Sequence, residues 1–144
     1  MGGLSLQLFL KKVNEAIIIS DSTGVITYYN PAAARLFGFK GHESVGESLN
    51  IIIPEKYRQS HWVSYFETMR TGITKYVATL LHVPALKRDG STISIAFTVT
   101  QLPGDNNMLP SIVAIIRDET ARFNEERQLR KRLSLLESQS SSSE

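Results

Sequence analysis

The segment Thr92–Leu102 alternates: Ile93, Ile95, Phe97 and Val99 fall on one side, and Thr92, Ser94, Thr98 and Thr100 on the other. A period of two is that of a strand, and an apolar side opposite a hydroxyl-rich one marks a sheet with one buried face. Two more strand candidates flank it, Lys75–Leu86 before and Ser111–Arg117 after. They are set off by the turn clusters Lys87-Arg88-Asp89-Gly90 and Pro103-Gly104-Asp105-Asn106-Asn107. Upstream, the β-branched run Ala16-Ile17-Ile18-Ile19-Ser20 stops at Asp21-Ser22-Thr23-Gly24, and Val25–Tyr29 follows at once, which reads as a hairpin.

Helical signals fill the space between. Asn30 is placed to cap a helix that opens on Pro31, where the missing N–H costs nothing, and runs through Leu36 towards Gly38. Residues 39–54 are rich in turn formers, with Ser48 a capping candidate, and predict short helical turns. Glu55–Arg70 has neither Pro nor Gly and predicts a longer central helix that ends at Gly72.

Both ends carry amphipathic stretches. Leu6, Phe9, Leu10 and Val13 recur at helical spacing over Ser5–Glu15, and Leu129, Leu133 and Leu136 form a short coiled-coil stripe after Asp118. Ser138–Glu144 is serine-rich and reads as a disordered tail. The expected organisation is an N-terminal amphipathic helix over 1–15, a folded domain over 16–120, a signalling helix over 121–137, and the tail over 138–144. The two apolar stripes exceed what one small sheet covers, which predicts a homodimer through the terminal helices.

Composition narrows the function. A length of 144 residues, 42% hydrophobic and 21% charged, is that of one ordinary globular domain. No apolar run approaches the roughly 18 residues of a membrane span, and the N-terminus lacks the pattern of a secretory signal. The absence of cysteine excludes disulfides, thiolate nucleophiles, Cys-ligated metals and covalently attached haem, and fits a cytoplasmic domain. The net charge is only +2, with the basic residues dispersed among acidic ones, so direct nucleic-acid binding is not expected. No phosphate-binding glycine loop, nucleophile elbow or two-histidine metal pair is present, and a sensory or regulatory domain is expected rather than an enzyme.

The order of elements, an α+β domain with helices over one face of a five-stranded antiparallel sheet, resembles the PAS fold. So do Asp21-Ser22-Thr23-Gly24-Val25-Ile26, Tyr29-Asn30-Pro31-Ala32-Ala33, Leu36-Phe37-Gly38, Lys87-Arg88-Asp89-Gly90-Ser91 and Ile116-Arg117-Asp118-Glu119-Thr120. The last is similar to the motif at which a PAS sheet hands over to an output helix and a C-terminal output domain. A narrower resemblance lies in Asn50–His61, with Pro54, Arg58 and His61 spaced as in the haem-binding PAS domains of FixL-type oxygen-sensing kinases and the bacterial direct oxygen sensor.

That resemblance implies haem b with His61 as the axial ligand, since one neutral imidazole plus burial of the porphyrin faces suffices. It implies an interior wall of Leu81, Ile95, Phe97 and Val99, with Lys75 offered to a propionate and Tyr76 near the bound gas. The chain departs from those sensors twice: Ser64, followed by Tyr65, stands where they place a tyrosine, and Leu81 stands where they place the distal arginine. An apolar Leu81 predicts carbon monoxide or nitric oxide held well and oxygen held less stably. His42 and His82 are weaker candidates, His82 being turned outward by strand alternation. Two alternatives stay open: a flavin flanked by Trp62 and tyrosines, as FAD in a redox-sensing domain, and a cofactor-free module for dimerisation and signal relay.

Overall fold

The computed structural model of the chain describes residues 5–71, 81–107 and 109–142. The elements are α1 (Leu6–Lys12), β1 (Ala16–Asp21), β2 (Ile26–Tyr29), α2 (Pro31–Phe37), α3 (Gly41–Ser44), a 3-10 turn at Leu49–Ile52, α4 (Glu55–Thr71), β3 (Leu81–Leu86), β4 (Thr92–Leu102), β5 (Ser111–Asp118) and α5 (Thr120–Ser142). The strands make one antiparallel sheet in the order β2-β1-β5-β4-β3, so the first hairpin and the last three strands join where β1 pairs with β5.

Register sorts the inner face into rows. Ala16 stands opposite Ile116, Ile116 opposite Phe97, and Phe97 opposite Leu81. The next row is Ile18, Ala114 and Val99, and the one after it Ser20, Ile112 and Gln101. Ala16, Ile18, Ile95, Ile112 and Ile116 are buried there with Ile26, Ala33, Phe37 and Leu49 in a single core. The expected inward set of β4 therefore does face the core, with Ile93, Phe97 and Val99 packed against it and only partly buried.

The opposite face is not uniformly polar or open, because Ile17 and Ala96 are buried on it. The handover to α5 adds cover: Ser94 N–H donates to Thr120 Oγ1 at 3.0 Å, and Glu119 N–H donates to the Ser94 carbonyl at 2.7 Å. Asp118 Oδ1 accepts from Thr120 N–H at 2.9 Å, so β5, β4 and the first turn of α5 share one hydrogen-bonded corner.

Asn30 does more than cap α2. It is 1% exposed, and its Oδ1 accepts from Ala33 N–H at 3.0 Å and from Ile17 N–H at 2.9 Å. Its Nδ2 donates to the carbonyls of Glu15 at 3.0 Å and Leu10 at 3.2 Å. One amide thus ties α1 and the segment after it to β1 and α2, with both its donors and both acceptor lone pairs used.

The terminal helices keep their apolar residues largely uncovered. Leu6 and Phe9 are 70% and 57% exposed, whereas Leu10 and Val13 are half-buried. Leu129, Leu133 and Leu136 are exposed on α5. That helix continues through Ser142, into the serine-rich stretch where disorder was expected. Hydrogen bonds propagate from an established helix more readily than they nucleate, which carries weak formers along. The predicted strand start at Lys75 and helix stop at Gly72 lie outside the described residues. Among the described residues no helix is long and apolar enough to cross a membrane.

Candidate functional site

The site is organised by α4, whose inward residues each meet a different part of the fold. At its start, Arg58 donates through Nε to the Ile53 carbonyl at 3.0 Å and through a terminal N–H to the Asn50 carbonyl at 3.3 Å, binding the helix to the 3-10 turn. Trp62 Nε1–H donates to Asn50 Oδ1 at 2.7 Å, and its ring lies against the turn of the first hairpin at Gly24. A Cβ on Gly24 would stand 2.2 Å from the Trp62 ring, and Gly24 has φ +84°, so closeness and backbone both call for glycine.

Tyr65 completes the docking. Its hydroxyl donates to the Asp21 carbonyl at 2.5 Å and lies 2.9 Å from Ser20 Oγ, which is left to donate to it. Burial pushes its phenol upward, against the hydrogen bond from Ser20. Tyr65 therefore anchors α4 to the end of β1.

His61 lies one helical turn before Tyr65, with ring centroids 5.6 Å apart, and meets the edge of Trp62 at 4.6 Å. Burial among these rings pushes its pKa down to about 4, so the imidazole is neutral near pH 7. Nδ1 is buried and has no hydrogen-bond partner. A neutral imidazole with a desolvated ring nitrogen is a competent metal or hydrogen-bond ligand.

The remaining expected residues are placed as follows. Ile95 is buried, Phe97 and Val99 line the same inner face, and Leu81 stands opposite Phe97 on β3. Lys75 and Tyr76 lie outside the described residues. His42 and His82 are exposed, and among the described residues no three His, Cys, Asp or Glu side chains gather as a metal-binding group. Trp62 is committed to Gly24 and Asn50. A cavity of about 330 Å³ lies elsewhere, where Asn14–Ala16, α2 and the end of β5 meet, and none of His61, Ile95, Phe97 or Val99 lines it.

Sequence reasoning passed over Gln101. It occupies an inner-face position of β4 in line with Ile95, Phe97 and Val99, and its Oε1 is buried without a partner. Continuing the alternation two residues past Val99 would have found it.

Known proteins agree with this architecture. The PAS domain family pattern matches residues 14–121. The sensor protein FixL of Bradyrhizobium diazoefficiens is 30% identical over 93% of this chain and 25% of its own length. The oxygen sensor protein DosP of Escherichia coli is 28% identical over 80% of the chain and 14% of its own length. The chain thus spans a quarter or less of these two relatives. A solved PAS domain from Colwellia psychrerythraea superposes with a TM-score of 0.67 at 18% identity, over 80% of this chain and 94% of that one. With the five-stranded sheet, the helices over its inner face and the family pattern in agreement, the chain belongs to the PAS domain family.

Proposed function

We propose that the chain is the sensory domain of a larger signal-transduction protein, and that it holds haem b through His61 to respond to a diatomic gas or to redox state. The observation that carries this reading is the His61 imidazole, neutral, packed between aromatic rings and left with a buried nitrogen that no protein group satisfies. Buried polar groups without partners are rare in folded proteins, and ligand binding is one reason for them. The similarity to FixL and to the oxygen sensor DosP supports the same reading.

When bound, haem supplies an iron whose open coordination position captures a small gas or changes oxidation state. The protein's share of the work is local. Trp62 and Tyr65 fix the helix that carries His61, through Asn50, Gly24 and the end of β1. Ile95, Phe97 and Val99 on the inner face of β4 supply an apolar wall, to which Leu81, the register partner of Phe97, is assigned. Lys75 and Tyr76 are assigned to the propionates and to the bound gas. Output runs from β4 to α5: Ser94 neighbours Ile95 in the chain and bonds Thr120, so a shift of that strand biases how α5 leaves the sheet. The exposed Leu6, Phe9, Leu129, Leu133 and Leu136 are covered by a second copy of the chain.

Hemin added to the purified protein tests the haem assignment. The wild type develops a Soret band, and His61→Ala loses it while keeping its circular dichroism. An unchanged spectrum in the variant removes His61 as the ligand. The second reading, a cofactor-free relay module, draws on the packed core around Ile18, Ile26 and Phe37 and on the position of the cavity away from His61.

A further inference from the structure

Opposite charges gather without pairing at the cavity of about 330 Å³ where Asn14–Ala16, α2 and the end of β5 meet. Arg35, in the last turn of α2, and Arg117, near the end of β5, both line it, and so do Glu15 and Asp118. The ion pairs formed among the described residues are Arg70–Glu67, Arg88–Glu43 and Arg122–Glu126, so none of these four charges is paired with another side chain. The rest of the lining is mainly apolar. Ala16, Ala32 and Ile116 belong to it and are 3%, 5% and 3% exposed.

The walls of this cavity are held in place. The Glu15 carbonyl accepts from Asn30 Nδ2 at 3.0 Å while Asn30 Oδ1 caps α2, so one buried amide fixes the linker after α1 against the helix that carries Arg35. Ala16 is the register partner of Ile116, which sets the start of β1 beside Arg117 and Asp118. Asp118 Oδ1 accepts from Thr120 N–H at 2.9 Å, a bond that orients the carboxylate without cancelling its charge. A ligand that meets groups already fixed loses less free energy to ordering them.

We propose that this cavity binds a free α-amino acid with an apolar side chain. The guanidinium groups of Arg35 and Arg117 match a carboxylate, and the carboxylates of Glu15 and Asp118 accept from an ammonium group. A free amino acid carries both charges on one carbon, whereas either end of a peptide supplies only one. Its side chain rests on Ala16, Ala32 and Ile116. The volume is that of roughly eleven waters at about 30 Å³ each, the small end of the range for ligand pockets. An occupant touches the linker from α1 and the strand residues that lead into α5, and so couples the two terminal helices. His61 does not line this cavity, and the proposal holds with or without haem.

The test follows the amide chemical shifts of the isotope-labelled chain, without hemin, as L-leucine is added. Isocaproate, which is leucine without its ammonium group, and isoamylamine, which is leucine without its carboxylate, are added in parallel. L-leucine is expected to shift the amides of Glu15, Ala16 and Ile116–Asp118 saturably, with a Kd of about 1 mM or tighter. Each analogue is expected to bind at least about tenfold more weakly, the loss of one charge-assisted contact. Arg35→Gln and Glu15→Gln should each weaken L-leucine about tenfold, and Arg35→Gln should also narrow the gap between L-leucine and isoamylamine. Both side chains are exposed, so both variants should keep the wild-type circular dichroism. No saturable shift with L-leucine overturns the proposal. Isocaproate bound as tightly as L-leucine overturns it in favour of a plain anion site, and L-leucine affinity unchanged in both variants overturns it as well. Hemin uptake is measured separately, so a failure of the haem reading leaves this result intact.

Discussion

Replacing Asn30 by alanine removes one amide from four hydrogen bonds, and the consequences differ at each end. Ala33 N–H loses its cap, a change that costs about 1 kcal/mol in typical helices. Ile17 N–H, on a residue 4% exposed, is left without an acceptor, which adds about 1–3 kcal/mol. The Leu10 and Glu15 carbonyls sit under a largely exposed α1 and regain water, so their loss adds little. The total is about 2–4 kcal/mol, or a melting temperature lower by roughly 10–15 °C for a domain of this size. Asn30→Asp separates the two ends: it keeps an acceptor for both N–H groups but sets an oxygen against two carbonyls, so it releases α1 while retaining the cap. Urea unfolding followed by circular dichroism, with hydrogen exchange at the amides of α1, reads both effects. Asn30→Ala within 0.5 kcal/mol of wild type, on the order of an exposed surface change, would refute the assignment of Asn30 as the joint between α1, β1 and α2.

Further outcomes follow from the same contacts. Gly24→Ala meets the Trp62 ring at 2.2 Å and places a side chain at φ +84°, so it should cost about 2–4 kcal/mol; Trp62, the single tryptophan, should report its displacement by a red-shifted emission. Tyr65→Phe removes the bonds to Asp21 and Ser20 and should cost about 2 kcal/mol in urea unfolding with the helix content unchanged. His61 has a folded pKa lowered to about 4 from 6.5, so the unfolded chain takes up the proton first. Stability present above pH 6.5 should therefore fall as pH drops towards 4, and His61→Leu should flatten that part of the melting profile. At Asp21 desolvation raises the carboxyl, but the hydrogen bonds from Thr23 and the turn N–H groups together outweigh it and hold it below its ordinary value, so it acts at lower pH and leaves the window to His61.

Local chemistry made much of the fold readable. The alternation over Thr92–Leu102 returns as a strand with those bounds, and Asn30-Pro31 opens a helix where a cap and a pre-set φ predict one. The hairpin and the long α4 follow from β-branched runs, turn residues and the absence of Gly and Pro. What the sequence hid is long-range. Nothing near Asn30 announces that its amide reaches back to Leu10, nor does Trp62 reveal that Gly24, far away in the chain, makes room for it. The candidate site divides in the same way. His61 was found through a resemblance and Ile95, Phe97 and Val99 through alternation, whereas Gln101 stood out only once the register set it on the inner face. Ser94, set on the hydroxyl-rich side of β4, is half-buried because it bonds Thr120 at the start of α5, a tertiary contact.

Whether His61 anchors a haem is decided by an equilibrium hemin titration of the wild-type chain. A Soret band should saturate at one hemin per chain, with emission from the adjacent Trp62 quenched over the same range. Non-saturating absorbance with no matching quench of Trp62 would contradict it.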